Sequence, residues 1–340
     1  MHKHIKESEQ MKIVYGPVPS WRLGRSLGID VTLPPKTCTF NCVYCQLGPT
    51  IRHVSTSENI RFNVTAKNLA EELSRKIREI NVKTLDFVTF SGTGEPTLNP
   101  NLGDLITTVK KLLPGISVAV LTNSSLINLQ SVRKALMKAD LVAAKLDAGD
   151  QQTFKSINRP AKGVPNIDKI IEGIKEFKKG YRGILALQVM LIKSEDPSFR
   201  ANTEGEAFQK LIEVIKEVEP DQVELNTPLR PPSEKHVEPV STVFLEKVVK
   251  TLSDTIGGEN IFAVGIREAQ FRPKKVFIGS RQQLEKEILE MLKRRPCRIK
   301  DISIALGVNV REIEECIKVL MQNRRMKVVE SKRGTFYYVR

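Results

Sequence analysis

Three cysteines lie within eight residues, and this cluster is the part of the sequence best suited to chemistry. Cys38, Cys42 and Cys45 are separated by three and then two residues, and they follow a pair of prolines. A loop with this spacing can turn all three thiols toward one centre. Three thiolates suit three irons of a 4Fe–4S cube and leave the fourth iron open to an added ligand. Because a catalytic centre requires an open coordination position, the spacing predicts a catalytic iron–sulfur cluster.

Zinc binding and simple core packing fit the three cysteines less well. Structural zinc takes four protein ligands, and His53 is the only nearby histidine that could complete such a set. Three unrelated core thiols would need apolar packing, which a loop after a double proline does not favour. The remaining Cys297 and Cys316 fall on apolar faces of predicted helices, as small core residues do. Five cysteines are also too few for a disulfide framework in 340 residues, which indicates a reducing compartment.

The apolar periodicity predicts alternating strands and helices around this cluster. The predicted strands are residues 26–33, 84–90, 116–121, 141–146, 184–192, 222–225 and 261–266, and the predicted helices are residues 66–80, 101–113, 130–138, 167–177, 204–218 and 243–252. Repeated strand–loop–helix units require a parallel sheet with helices packed outside it. This pattern leaves open a doubly wound sheet or a complete or partial α/β barrel. Both architectures place chemistry at the C-terminal ends of the strands.

Glycines and polar residues follow several of these predicted strands. Residues 91–96 (SGTGEP) follow the second strand, Asn123 follows the third, and Lys145 and Asp147 end the fourth. A glycine-rich strand end is more often a plain turn, and Lys145 and Asp147 could equally form a solvated ion pair. Their shared position at strand ends nevertheless makes them candidates for ligand contacts.

Together with the cysteine cluster, these residues resemble the radical S-adenosylmethionine (SAM) superfamily. The resemblance covers roughly residues 13–240 and rests on the C-x3-C-x2-C signature, in which Tyr44 is the aromatic residue before the last cysteine. It implies an α/β fold with a partial (β/α)6 barrel of the TIM type. It also implies a 4Fe–4S cluster on Cys38, Cys42 and Cys45, with SAM as a second cofactor. The residues that would contact SAM are Tyr44, Gly92, Thr93, Gly94, Glu95, Asn123, Lys145 and Asp147.

The resemblance gives several of these residues a separate role. Glycines allow backbone carbonyls to approach the SAM ammonium, and Glu95 would add a negative charge beside it. Asp147 is expected to accept hydrogen bonds from the ribose hydroxyls. Lys145 is expected to pair with the SAM carboxylate.

Further segments resemble the wyosine-synthetase-like branch of the superfamily. These segments are residues 15–20, 22–24, 91–97, 146–150 and 226–232. Members that build the tricyclic base of tRNA hold a second cluster on three cysteines upstream of the first, whereas this chain has no cysteine before Cys38. The resemblance to this branch therefore extends to the scaffold and the SAM site only.

The C-terminal 60 residues have a different pattern. Three predicted helices, with a tight turn between the second and third, precede a predicted hairpin, which is the winged helix-turn-helix pattern. We therefore predict two domains, residues 1–280 and 281–340, with the boundary near Gly279. The second holds 15 Lys and Arg against 8 Asp and Glu. Its predicted recognition helix, residues 310–323, also carries three glutamates, so nucleic-acid binding and protein docking remain equally open. The basic residues on or near it are Arg311, Lys318, Arg324, Arg325, Lys327, Lys332 and Arg333.

Composition limits the class of protein and of partner. The 54 Lys and Arg exceed the 39 Asp and Glu and give a net charge of +15, which attracts polyanions such as nucleic acid. Apolar residues make up 40 %, and the longest nearly apolar stretch, residues 184–192, is far too short to span a membrane. The polar N-terminal residues do not form a signal peptide pattern. We therefore expect a cytoplasmic protein with no membrane partner.

Four arginines and one proline-rich segment lie beside predicted barrel loops. Arg22, Arg25, Arg159 and Arg230 could hold a phosphate or carboxylate of a substrate, although salt bridges between loops are favoured for any single one. Residues 227–239 are rich in proline and predict irregular structure, either a cover over the site or a rigid loop.

The function that the resemblance implies is reductive cleavage of SAM to methionine and a 5′-deoxyadenosyl radical. An electron donor such as flavodoxin or ferredoxin is then required. The first hypothesis for the substrate is RNA, and tRNA in particular, held by the basic C-terminal residues. The alternatives are a peptide or small-metabolite substrate, or a DNA-binding iron–sulfur redox regulator. No residue acting on the substrate and no oligomeric state follows from the sequence.

Overall fold

The computed structural model describes residues 12–20, 22–58, 60–266, 280–331 and 334–339. The strands are β1 (Val14–Ser20), β2 (Gly24–Ile29), β3 (Thr37–Cys38), β4 (Arg52–His53), β5 (Phe87–Phe90), β6 (Ser117–Thr122), β7 (Leu141–Lys145), β8 (Ile184–Met190), β9 (Ile192–Ser194), β10 (Gln222–Asn226), β11 (Val237–Pro239), β12 (Ile261–Ala263), β13 (Lys327–Ser331) and β14 (Gly334–Tyr338). The helices are α1 (Ala66–Glu79), α2 (Leu102–Leu112), α3 (Gln130–Leu136), α4 (Gln151–Asn158), α5 (Ile167–Gly180), α6 (Gly205–Val218), α7 (Thr242–Ile256), α8 (Arg281–Arg294), α9 (Ile299–Leu306) and α10 (Val310–Gln322). No helix in these ranges has the length and apolarity to cross a membrane.

The central sheet has eight strands in the order β1-β2-β5-β6-β7-β8-β10-β12. All neighbours from β2 to β12 are parallel, and β1 pairs antiparallel with β2 at one edge. The strand order never reverses along the chain. Because parallel crossovers are right-handed, one direction of winding puts all the helices on the same face of the sheet. This arrangement favours the predicted partial barrel over a doubly wound sheet, which needs a reversal.

The two faces of the sheet pack against different clusters of side chains. Val142 and Ala144 of β7 lie in the main core with the helices. Side chains alternate along a strand, and Ala143 accordingly belongs to a separate small cluster on the other face with Ala119 and Ala186. We call this second side the inner face. These three alanines are almost completely buried, so other side chains of this cluster cover them.

The helices form where the sequence combines an apolar face with a capping residue. In α1, Leu69 and Leu73 are four residues apart and fully buried, so they lie on one face. Thr65 and Asn68 form reciprocal cap hydrogen bonds at its N-terminus. All the strands and helices predicted for the barrel have counterparts in the structure.

Four features differ from the predictions. The strand predicted over residues 26–33 ends at Ile29, because the Asp30 carboxylate accepts from the backbone of Thr32 and Leu33 and turns the chain. The edge strand β1 and the helix α4 were not predicted; β1 contains prolines, which an edge strand tolerates. The prediction that residues 227–239 are irregular is wrong at their end, where β11 pairs antiparallel with β9.

The C-terminal residues contain the three predicted helices, α8 to α10, and the hairpin of β13 and β14. They pack around a hydrophobic cluster of their own that includes Ile288, Ile302, Ile313 and Leu320. The winged-helix identity of this unit stays a prediction. The predicted boundary residue Gly279 and the predicted hairpin-tip residues Lys332 and Arg333 lie outside the described residues.

Candidate iron–sulfur and cofactor site

The cysteine cluster lies in a loop beside the C-terminal ends of the strands. Cys38 ends β3, which pairs with β4, and the Cys45 amide donates to the Cys42 carbonyl at 3.1 Å in a tight turn. Burial, with the nearby charge of Glu95, raises the pKa of Cys38 to about 12, and burial raises the pKa of Cys42 to about 11. Both thiols are therefore protonated at neutral pH, and a bound metal must displace their protons.

Each cysteine sulfur has its own side-chain N–H donor. The Asn123 amide nitrogen lies 3.5 Å from the Cys38 sulfur. The Asn158 amide nitrogen lies 3.6 Å from the Cys42 sulfur. The donor for the Cys45 sulfur is the ammonium of Lys36 at 3.1 Å. Donors of this kind stabilise metal-bound thiolates, so the surroundings of the three sulfurs fit a metal centre.

The sulfurs do not have the spacing of ligands to one ion. Within the described ranges, no three His, Cys, Asp or Glu side chains converge closely enough to hold a single metal ion. His53, the fourth ligand of the zinc alternative, is exposed. The geometry therefore does not match a zinc site. A 4Fe–4S cluster differs in this respect, because each cysteine binds a different iron of the cube.

The glycine-rich loop after β5, residues 91–95, packs against the strand that carries Cys38. A side chain at Gly94 would place its Cβ 1.9 Å from the Thr37 carbonyl oxygen, and one at Gly92 would place its Cβ 2.2 Å from the Asp30 carboxyl carbon. The Glu95 amide also donates to the Thr37 carbonyl at 3.1 Å. The loop lies so close to Asp30 and Thr37 that neither position has room for a side chain, so both must be glycine. This close approach brings the loop next to the cysteine loop.

Glu95, expected beside the SAM ammonium, lies inside the protein and is 2 % exposed. One of its oxygens accepts from the Thr97 amide and from the hydroxyls of Thr97 and Thr122, and the other accepts from the Asn123 amide at 2.7 Å. Burial raises the pKa of Glu95, and hydrogen bonds from Thr122 and Thr97 oppose that rise. These contacts link the loop after β5 to the end of β6 and fix Asn123. Thr93 is similarly held by Asp30, which accepts from its amide and hydroxyl.

Asp147 and Lys145 also contact the protein. The Asp147 side chain is fully buried and accepts from the Tyr44 hydroxyl at 2.5 Å, the Asn158 amide at 2.8 Å and the Met190 backbone N–H at 2.8 Å. Lys145 lies 3.3 Å from Asp147 and 4.9 Å from the Tyr44 ring centroid. Burial raises the pKa of Tyr44, so its hydroxyl remains a donor. These contacts join the cysteine loop to β7. The sequence predicted instead that Asp147 contacts the SAM ribose and that Lys145 contacts the SAM carboxylate.

The four candidate arginines make contacts within the chain. Arg22 pairs with Glu224 at 2.9 Å, and Arg159 pairs with Glu234 at 2.5 Å. Arg230 donates to the Gln46 side chain and to the Pro296 carbonyl, both at 3.1 Å. Arg25 is buried. These observations agree with the expectation of contacts between loops.

The inner face carries a polar row beside this site. Lys145, Gln188 and Glu224 are register neighbours on β7, β8 and β10, so their side chains point to the same side. Glu224 is 3 % exposed and also accepts from Gln188 at 3.0 Å. Burial raises the pKa of Glu224, and the nearby Arg22 opposes that rise. The row begins at Lys145 and leads away from the cysteine loop across the inner face.

Several residues of the site were not predicted from the sequence as parts of it. Lys36 and Asn158 face the cysteine sulfurs, and Asp30 holds the glycine-rich loop. Asn158 had a usable signal, since it adjoins Arg159 near a predicted barrel loop, whereas Asp30 fell inside the strand predicted over residues 26–33. Arg294, which contacts Asp30, had none, because it comes from α8 near the other end of the chain.

Known proteins resemble this chain over most of its length. A UPF0026 protein of Methanocaldococcus jannaschii is 36% identical over 288 residues, which are 85% of this chain and 84% of that protein. A UPF0026 protein of Synechocystis sp. is 39% identical over 226 residues, 66% of this chain and 79% of that protein. A solved domain of pyruvate-formate lyase-activating enzyme from Bacteroides vulgatus has 21% identity and a TM-score of 0.39, and the match covers 52% of this chain and 98% of that domain.

The wyosine-synthetase-like branch stays a prediction. The family model of the Radical SAM superfamily matches residues 32–201, which is half of the chain and includes the cysteine cluster and the glycine-rich loop. The chain therefore belongs to the Radical SAM superfamily, together with its UPF0026 relatives.

Proposed function

We propose that this protein is a radical SAM enzyme whose 4Fe–4S cluster is held by Cys38, Cys42 and Cys45. One observation carries the proposal: each of the three sulfurs faces a separate N–H donor, beside a loop whose glycines admit no side chain. Membership of the superfamily implies both the cluster and SAM. When bound, they supply one-electron cleavage of SAM to a 5′-deoxyadenosyl radical.

The chain's own residues bind and orient the cofactor. In this proposal, backbone carbonyls of Gly92, Thr93 and Gly94 accept hydrogen bonds from the SAM ammonium, and the two glycines let this loop lie directly against Asp30 and Thr37, next to the cysteine loop. The Glu95 carboxylate holds Asn123 in place by accepting a hydrogen bond from the Asn123 backbone N–H. On the other side of the cysteine loop, Asp147 fixes Tyr44 and Lys145, and Lys145 would pair with the SAM carboxylate.

The substrate would lie on the inner face. The row of Lys145, Gln188 and Glu224 on this face offers hydrogen bonds to a polar substrate. The substrate that we propose first is RNA, and tRNA in particular, whose phosphates the basic C-terminal residues would contact in a salt-dependent way. A peptide or small metabolite is the alternative substrate. A DNA-binding redox regulator is the alternative from another class, and the glycine-rich loop argues against it because a sensor needs no ammonium site.

A reductant must deliver the electron. We propose a small electron-transfer protein such as flavodoxin or ferredoxin, in the cytoplasm, as the donor.

Anaerobic reconstitution tests the enzyme. The wild-type protein should bind about four irons and four sulfides per chain and, with dithionite and SAM, release 5′-deoxyadenosine. Cys42→Ala should lose both properties. Cys316→Ala is the matched control, because Cys316 is a buried thiol in the C-terminal cluster. If cluster-loaded wild-type protein yields no 5′-deoxyadenosine, the proposed enzymatic activity is refuted and the redox regulator is favoured.

A separate experiment tests the substrate class. We expect the reconstituted protein to shift tRNA in a gel. Its affinity for tRNA should fall between 50 and 200 mM salt, by roughly a factor of ten for every two phosphates that it contacts. Replacing Arg311 and Lys318, both on α10, by glutamate should weaken that shift. Duplex DNA bound more tightly than tRNA would support the regulator, and binding of neither would support a peptide or metabolite substrate.

A further inference from the structure

We infer that Lys36, Asn123 and Asn158 form an outer shell that sets the reduction potential of the cluster, with Lys36 contributing most. The inference rests on the proposed cluster. It assigns these three side chains a positioning and electrostatic role that the cysteine signature does not specify.

Lys36 is held at both ends beside Cys45. Its ammonium donates to the Cys45 sulfur at 3.1 Å and to the Gly48 carbonyl at 2.5 Å. Its own carbonyl accepts from the amides of Ile51 and Arg52 at 3.2 and 2.9 Å. Among the described residues, no carboxylate lies within ion-pair distance of this ammonium. Its charge is therefore directed at the sulfur.

Asn123 is fixed on three sides. Its amide nitrogen also donates to the Thr39 hydroxyl at 2.7 Å, its amide oxygen accepts from the Ser125 backbone, and its backbone N–H donates to Glu95. The side chain therefore cannot turn away from Cys38 without breaking these bonds.

Asn158 is 2 % exposed and is held by Asp147, to which it donates at 2.8 Å. The same amide nitrogen lies 3.3 Å from the Tyr44 hydroxyl and 3.6 Å from the Cys42 sulfur. Since α4 ends at Asn158, the helix fixes the backbone of this donor. The three donors thus come from three separate parts of the chain, one for each sulfur.

The effect of such donors follows from charge. Reduction adds one electron to the cluster, and N–H groups that face the sulfurs stabilise that added negative charge. A donor that carries a full positive charge stabilises it more than a neutral amide does. Lys36 should therefore make the cluster easier to reduce, and the two asparagines should do the same to a smaller extent.

The test is a redox titration of the reconstituted cluster, followed by electron paramagnetic resonance without SAM. Lys36→Met should lower the equilibrium constant for one-electron reduction about tenfold, which corresponds to a potential about 59 mV more negative. Lys36→Arg keeps the charge and should restore most of the potential. Lys155→Met is the matched control, because Lys155 is exposed on α4. Iron and sulfide contents are measured for every variant.

A second variant keeps the inference testable if Lys36→Met fails to hold the cluster. Asn123→Ala removes one neutral donor and should shift the potential in the same direction by a smaller amount. Fully loaded Lys36→Met or Asn123→Ala protein with the wild-type potential would overturn the inference and leave the proposed function intact. Failure of the wild-type protein to assemble a cluster would instead refute the proposed function itself.

Discussion

Arg294 of α8 forms an ion pair with Asp30, 264 residues earlier in the chain, and both side chains are almost completely buried. The guanidinium also stacks over the Tyr15 ring, with its carbon 4.3 Å from the ring centroid. The same Asp30 carboxylate accepts from the amide and hydroxyl of Thr93. One carboxylate therefore connects the C-terminal helices to the glycine-rich loop.

Breaking this pair should destabilise the protein strongly. Arg294→Met leaves the Asp30 charge buried without its partner, and removing one member of a buried pair costs about 3–5 kcal/mol. Urea denaturation followed by circular dichroism at pH 7 measures the loss. Arg325→Met, at an exposed arginine of the same C-terminal unit, should change the free energy of unfolding by less than about 0.5 kcal/mol. Equal unfolding midpoints for the two variants would contradict the importance of the pair.

A side chain at Gly94 should separate the glycine-rich loop from the cysteine loop. The clash of an added Cβ is with a backbone oxygen, that of Thr37, which cannot move without shifting Cys38. We expect Gly94→Ala to lose about 1–3 kcal/mol of stability, the typical cost of overpacking. The variant should also bind less iron on reconstitution.

The control for that variant is Gly180→Ala, at the end of α5. There the nearest heavy atom to an added Cβ is the flexible end of Met137 at 3.2 Å. Alanine should be neutral or stabilising by up to about 1 kcal/mol at a position it can adopt without strain. Iron binding equal to wild type in Gly94→Ala would show that the close contact between the loops is dispensable.

Glu224 should make stability depend on pH. Burial raises its pKa in the native state, with Arg22 opposing, so the native protein holds this proton more tightly than the unfolded chain. The contribution of Glu224 to stability is therefore complete below the unfolded pKa of about 4.3 and declines as the pH rises through the native value. Relative to wild type, Glu224→Gln should become progressively more stable between pH 4 and pH 7. Urea midpoints measured across this range would refute the idea if the difference stayed constant.

Asp150 should have the opposite pH dependence. Partial burial alone would raise its pKa, but hydrogen bonds from Thr153 and the nearby Arg200 outweigh it and hold the pKa below its ordinary value. Asp150 caps α4, so Asp150→Ala should cost about 1 kcal/mol at neutral pH. The cost should shrink as the pH falls below the ordinary value of about 3.9 and through the native pKa.

Ser241→Ala is the matched control for that cap, because Ser241 caps α7 with an uncharged hydroxyl. Its cost should be similar at neutral pH and should not vary with pH. Thermal or urea unfolding of both variants between pH 3 and pH 7 measures how each stability loss depends on pH. The same pH dependence for both losses would contradict a charged Asp150 cap.

The sequence predicted the barrel elements because the signals for strands and helices are local. Buried Leu69 and Leu73 show the helical spacing of α1, and the β-rich residues before the glycine-rich loop correspond to β5. The edge strand β1 was harder to predict, because its prolines do not resemble a regular strand and its partner β2 decides the pairing.

The candidate site divides in the same way. Spacing alone singled out Cys38, Cys42 and Cys45, since ligands close in sequence can be identified by their intervals. Intervals in the sequence do not tell whether Glu95 and Asp147 contact a ligand. Whether a carboxylate faces a cofactor or the protein interior depends on donors such as Tyr44 that are brought to it by folding.

By itself, the sequence determined the cysteine cluster, the glycine-rich loop and the alternation of strands and helices, because each depends on neighbours within a few residues. Only the tertiary structure decided which donors face each sulfur and that Arg294 contacts Asp30. The reason is physical: hydrogen bonds and ion pairs between distant residues depend on how the sheet and helices pack, and no periodic pattern in the chain encodes them.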